Sequence, residues 1–140
     1  MTTAIDTNVL VALWDSDNAL NLAAQGALDA ALDRGSLLIS APVFAELLAF
    51  PSRGEAFLDS FLRDTGIRVD WELNESIWRT AGHAFQVYAA RRRKKRDEGP
   101  RRILADFLIG AHALRHAYTL LTLDAKLYRS AFPHLRITAI

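Results

Sequence analysis

Thr3-Ala4-Ile5-Asp6-Thr7-Asn8, followed directly by the apolar run Val9 to Trp14, sets the organisation of this chain. Three small or apolar residues lead into an aspartate. Two short hydrogen-bonding side chains follow, then six residues suited to burial, and the pattern predicts a short strand, a turn and a helix. Asp6 stands where the strand ends, and Asn8 is suited to cap a helix running through Leu13. In an open parallel sheet, ligands bind beyond the carboxyl ends of the strands, so Asp6 is either a turn residue or a chemical one.

Outward from this stretch, strand-like and helix-like segments alternate. Leu20, Ala23, Ala24, Ala27, Leu28, Ala31 and Leu32 recur at helical spacing up to Gly35, which is placed to end a helix. Leu37-Leu38-Ile39 is wholly apolar, as a parallel strand buried on both faces requires. Pro42 suits the first turn of a helix carrying Phe44, Glu46, Leu47 and Leu48, which Pro51 breaks. Ser52 with Glu55 has the form of a capping box opening a helix with Phe57, Leu58, Phe61 and Leu62 on its apolar face, closed by Gly66.

Ile67, Val69 and Trp71 alternate with Arg68 and Asp70 as in a strand near a sheet edge. Asn74 can cap a long helix bearing Ile77, Trp78, Ala81, Ala84, Phe85 and Tyr88, which runs into a basic block and stops at Gly99-Pro100. A further helix begins near Ile103. Tyr118 to Leu121 reads as a fourth strand ending at Thr122-Leu123-Asp124, a short helix carries Leu127, Tyr128 and Phe132, and Arg136 to Ile140 makes a fifth strand. The expectation is one α/β domain over residues 1–140, an open parallel sheet of about five strands with helices on both faces.

Bulk properties exclude several chemistries. Cysteine is absent, which removes disulfides, thiolate catalysis and cysteine zinc sites and fits a reducing compartment. No run reaches the 18 or more apolar residues of a membrane span, and the first residues lack a signal-peptide pattern, so a cytoplasmic protein without membrane contact is expected. The net charge is +1, yet residues 91–102 hold 8 of the 17 basic and 2 of the 16 acidic residues, a local +6 against −5 elsewhere. Such a block on an acidic body suits a polyanion.

Four acids occupy places that could meet. Asp6 and Asp124 each end a strand, Glu46 lies in the helix after the second strand, and Asp106 stands near the start of the helix before the fourth. Glu46 in Pro-Val-Phe-Ala-Glu-Leu-Leu-Ala-Phe and Asp106 in Ile-Leu-Ala-Asp-Phe-Leu-Ile-Gly-Ala are each the only charge within an apolar segment, costly unless paired or bound to a metal. If strands one and four are neighbours, all four face one crevice. Oxygen-only ligands suit hard cations, Mg²⁺ or Mn²⁺, and mutual repulsion would hold protons on some of the acids until a cation binds. His112 and His116 are four apart on one helix, as metal ligands can be, but without a metalloprotease glutamate between them they read as surface or helix-end residues. His83 and His134 have no evident partners.

Asp6-Thr7-Asn8 ending a first strand, Glu46, Asp106 with Ala105, Ile109, Ala111 and Ala113 around it, and Thr122-x-Asp124 together resemble the acidic motifs of PIN-domain ribonucleases, over essentially the whole chain. In size it is most similar to VapC-type toxins of toxin–antitoxin pairs. Gly110 departs from the alanine frequent in that family, and the basic block is richer than usual.

The resemblance implies metal-dependent hydrolysis of RNA phosphodiester bonds with Mg²⁺ or Mn²⁺. Asp6, Glu46 and Asp106 would be the principal ligands, Asp124 would complete the acidic ring, and Thr7, Asn8 and Thr122 would orient ligands. Arg101 and Arg102, with Arg93 and Lys94, would hold the RNA backbone. It also implies a cognate antitoxin whose tail enters the crevice, and a homodimer. Two alternatives remain: a stand-alone RNA-processing nuclease, and an RNA- or protein-binding module of the same fold with little catalysis.

Overall fold

A computed structural model of the chain describes residues 1–51, 53–95 and 102–140. In chain order the described elements are β1 (Thr2–Ile5), α1 (Thr7–Trp14), α2 (Asn21–Arg34), β2 (Ser36–Ser40), α3 (Ala41–Leu47), α4 (Glu55–Thr65), β3 (Arg68–Asp70), α5 (Glu75–Lys95), α6 (Leu104–Arg115), β4 (Thr119–Thr122), α7 (Ala125–Ala131) and β5 (Arg136–Ala139). The strands form one parallel sheet in the order β3-β2-β1-β4-β5. This is the α/β architecture expected from the alternation of segments.

Burial follows the order. Leu37 to Ser40 of β2 and all of β4 are buried, whereas β3 and β5 are short and half-exposed, as edge strands are. Connections from β1 outward to β3 step one way along the sheet. The connection from β3 to β4 crosses back, and with right-handed crossovers this reversal puts helices on both faces of the sheet. The order reverses between β1 and β4, which leaves a crevice beyond their carboxyl ends.

Helix α6 is the most deeply placed. Phe107 to Ala113 are all buried, packed between the sheet and α5, so this helix is apolar all round rather than on one stripe. Gly110 lies within it. A Cβ built there would sit 2.3 and 2.6 Å from ring atoms of Phe132, itself 3% exposed, so the aromatic ring occupies the space of a side chain. Gly110→Ala is therefore expected to lower stability by about 1–3 kcal/mol through overpacking. Urea unfolding would read it, with Phe132→Leu in the same chain recovering most of the loss; a stable single variant would show that the ring yields freely.

Several local signals are realised. Gly66 adopts φ 73° at the end of α4, and the Asn74 side chain accepts from the Ile77 N–H at 3.0 Å at the start of α5. Gly35 ends α2 where the backbone of Met1 passes too close for any Cβ. Three details differ. Asp6, not Asn8, caps α1: its Oδ1 accepts from the Thr7 N–H at 2.8 Å, so the helix begins two residues earlier than the sequence suggests.

Gly54 stands at the N-cap of α4 without a side-chain hydrogen bond. Ser52, the other half of the expected capping box, lies outside the described residues, as do Gly99, Pro100 and Arg101. The corner before α4 is held instead by Trp14, which meets Phe50, Phe57 and Phe61 edge-on at 5.2–5.8 Å, and by Arg53, over the Phe57 ring and bonded to the Trp14 carbonyl. Finally, His112 is fully buried rather than a surface residue, because the inward packing of α6 extends through position 113. Among the described residues no helix is long and apolar enough to cross a membrane.

Candidate active site

Asp6 leaves β1 at the reversal point of the sheet and is 5% exposed. Its Oδ1 accepts from the Thr7 N–H and its Oδ2 from the Thr122 hydroxyl at 2.7 Å, so each oxygen keeps a lone pair. Thr122 ends β4 and also accepts from the Asp124 N–H at 2.9 Å, which couples the two strand-end aspartates through one hydroxyl. Thr7 does the same toward α3, donating from Oγ1 to Glu46 Oε1 at 2.6 Å. Asn8, released from capping, accepts from the Leu123 N–H at 3.2 Å and fastens the turn after β4 to the first turn of α1.

Asp106 lies in the first turn of α6, where an anion is favoured, and its carboxylate accepts from the Ile103 N–H at 3.4 Å. Asp124 is already compensated: its Oδ2 is 2.6 Å from Arg102 Nη1. Arg102 is in turn held by its N–H, which donates to the Tyr88 hydroxyl at 2.7 Å. Arg93 and Lys94 are exposed on the last turn of α5. Beside the acids a groove of about 850 Å³ runs between α5, α6 and α7, floored by Phe107, Leu114 and Leu127 and rimmed by Arg91, Lys95 and Lys126; Arg102 belongs to both groove and acids.

Burial sets the protonation of the acids more than repulsion does. It pushes Asp6 up to about 6, opposed by Thr122, the Thr7 N–H and Tyr128, while the charge of Asp106 adds least. Asp106 is raised likewise by burial, against the Ile103 N–H and Arg102, with a small contribution from Asp124. Mutual repulsion, expected to be the cause, is the lesser one. A cation that needs ionised Asp6 must then displace a proton below about pH 6. Calorimetric Mn²⁺ titration in buffers of different protonation enthalpy is expected to show proton release near pH 5.5 that fades by pH 8; release independent of pH would mean that Asp6 does not meet the ion.

Tyr128 was legible in the sequence only as an apolar helix position. It is 1% exposed, and its hydroxyl lies close enough to Asp6 to lower that acid without making a hydrogen bond of good geometry; burial followed by the charges of Asp6 and Asp106 pushes the phenol up. A buried O–H so poorly satisfied beside a carboxylate is a costly arrangement. The donors are all oxygens, the type that hard cations such as Mg²⁺ or Mn²⁺ take, but among the described residues no three of these carboxylates bring ligand atoms within 4.8 Å of one another, so the four expected ligands are not gathered into a compact set. The set that does come that close is Asp70, His112 and His116.

The PIN domain profile matches residues 3–133. The chain belongs to the PIN domain family. Among solved structures, this PIN domain is similar to a chain of VapBC2 from Rickettsia felis, bound there to a DNA fragment from its promoter, with TM-score 0.69 and 20% identity over 100% of this chain and 99% of that one. It is also similar to VapBC-1 from nontypeable Haemophilus influenzae (TM-score 0.66, 23% identity, 99% and 98% covered) and to FitAcB from Neisseria gonorrhoeae (TM-score 0.63, 20% identity, 96% and 95% covered). No curated protein sequence matches the chain significantly.

Proposed function

We propose that this PIN domain is a metal-dependent endoribonuclease that hydrolyses RNA phosphodiester bonds and serves as the toxin of a toxin–antitoxin pair. The observation that carries the reading is Asp6: a nearly inaccessible carboxylate at the sheet's reversal point, gripped by Thr7 and Thr122 yet with a lone pair left on each oxygen. Such a group is retained at an unfavourable burial because something positive binds it.

Asp6, Glu46 and Asp106 would hold Mg²⁺ or Mn²⁺, with Asp124 completing the acidic ring beside Arg102. Bound there, the cation supplies Lewis acidity, making water a better nucleophile and offsetting charge on the phosphate. The protein's own part is positional. Thr122 fixes the free edge of Asp6, Thr7 aims Glu46, and Asn8 keeps the Leu123–Asp124 turn against α1. The Tyr128 O–H, close to Asp6 but in poor hydrogen-bond geometry, can turn to a water or phosphate oxygen in the crevice. Arg102, paired with Asp124, would exchange it for an RNA phosphate, and Arg93 and Lys94 would extend the basic contact, which adds affinity without base choice.

The toxin reading brings a cognate antitoxin protein and a homodimer with it. It is supported by likeness to VapBC and FitAcB chains over nearly their full length. The test is cleavage of an end-labelled structured RNA pool by the purified protein with Mg²⁺, Mn²⁺ or EDTA. Cutting that requires the cation and stops on adding the protein encoded beside the gene is the expected result. Binding without cutting under all metals would favour an interaction module.

A further inference from the structure

Outside the acidic crevice, the described part of the molecule holds one other convergence of metal-binding side chains. Asp70 ends β3, His112 lies in the last turn of α6, and His116, four residues on, is its C-cap. Asp70 Oδ2 is 2.9 Å from His112 Nε2 and 3.7 Å from His116 Nε2, and the three donor atoms lie within 4.8 Å of one another. Tetrahedral zinc with ligands at about 2.0–2.2 Å needs donor separations of roughly 3.3 Å, so small side-chain rotations close the set.

We propose that Asp70, His112 and His116 form a second metal site, for a borderline divalent cation such as Zn²⁺, that joins the far end of α6 to the edge of the sheet. Two nitrogens and one carboxylate select for that class over Mg²⁺. The donors are held in advance. Asp70 Oδ1 accepts from the Glu72 N–H at 3.1 Å, which leaves Oδ2 toward the histidines. His112 is fixed by complete burial, and the His116 ring stacks on Tyr118 at 5.1 Å with 14° between planes.

Access is graded: the side chains are 0% exposed at His112, 18% at Asp70 and 35% at His116, so the ion enters past His116 and keeps a fourth position for water. Burial lowers His112 against the pull of Asp70. Burial opposes ionisation of Asp70, yet the His112 hydrogen bond and the Glu72 N–H keep that carboxyl below its usual range. Imidazole and carboxylate are the forms that bind metal. His112 Nδ1 has no hydrogen-bond partner, so the site lacks one outer support and binds more weakly than a closed four-ligand zinc site.

The role is structural, since the site carries no substrate-facing group. An ion here fastens the helix whose opposite end presents Asp106, and it stabilises the fold by mass action. The test uses Co²⁺ absorption and Zn²⁺ thermal shift on the full chain with saturating Mg²⁺, which separates this site from the acidic crevice. Wild type is expected to show nitrogen-ligated cobalt bands and a Zn²⁺-dependent rise in Tm. His116→Ala, chosen because its side chain is the most exposed of the three, is expected to keep the metal-free Tm and bind Zn²⁺ about tenfold or more weakly. Wild type without cobalt bands or Zn²⁺ shift, or His116→Ala responding as wild type does, would overturn the proposal and leave a hydrogen-bonded His–Asp pair.

Discussion

Replacing Asp6 by asparagine is expected to lower RNA cleavage by about a hundredfold or more, since even groups that merely support a metal ligand are commonly worth 10–100-fold. The same variant is expected to fold. Asparagine retains an oxygen for the Thr7 N–H, so the cap on α1 survives, and the Thr122 hydroxyl can turn to accept from the new amide. What disappears is the charge. Wild-type Asp6 is raised from 3.8 to about 6, so its proton stabilises the metal-free fold below about pH 4, and that contribution is lost as pH rises through 6.

At neutral pH the ionised group then costs on the order of 3 kcal/mol in the absence of a cation. The asparagine variant does not bear that cost. In EDTA above pH 7 its Tm is expected to equal or exceed that of wild type, while its cleavage rate falls. Activity and stability moving in opposite directions is the signature of a functional carboxylate. Near-normal turnover in the purified variant would remove Asp6 from the mechanism; a collapse of Tm would assign it to the fold instead.

Phe107→Ala has the largest expected effect on stability. Phe107 is 1% exposed, lies stacked on Phe85 with centroids 5.1 Å apart and planes 14° from parallel, and touches Tyr88 at 5.4 Å. Truncation opens a cavity between α5 and α6 and is expected to cost about 3–5 kcal/mol. In a domain of this size that lowers Tm by roughly 10 °C or more. Because Phe107 follows Asp106 and Tyr88 holds the Arg102 N–H, the loss falls on the platform of the acids. Urea denaturation with an unchanged m-value would measure it. A loss under 1 kcal/mol would show that the α5–α6 interface relaxes into the gap.

Much of the architecture is legible because its causes are local. The unbroken Leu37-Leu38-Ile39 run suits a strand covered on both sides and forms one, and Gly66 and Asn74 each perform at their own position the conformational task their residue type suits. The strand-end placing of Asp6 and Asp124 follows from the same patterns. The helix start two residues early does not. Asp6 and Asn8 are equally good caps, and the choice rests on the Asp6 N–H reaching the Leu121 carbonyl, 115 residues away in the chain.

Helical periodicity assigns Tyr128 to the interior but says nothing of where its hydroxyl ends. His112 and Asp70 are 42 residues apart, and neither has a neighbour in sequence that announces the other. Contacts of that kind depend on how α6 lies across the sheet, which no window of residues contains.

The notch at Gly110 has a further consequence. The ring of Phe132, just past the end of α7, fills it, so α7 is keyed at its C-terminal end into α6 while its N-terminal end begins at Asp124. Positions 110 and 132 are thus packed as one unit, and a larger side chain at the first calls for a smaller one at the second, so the two are best varied together.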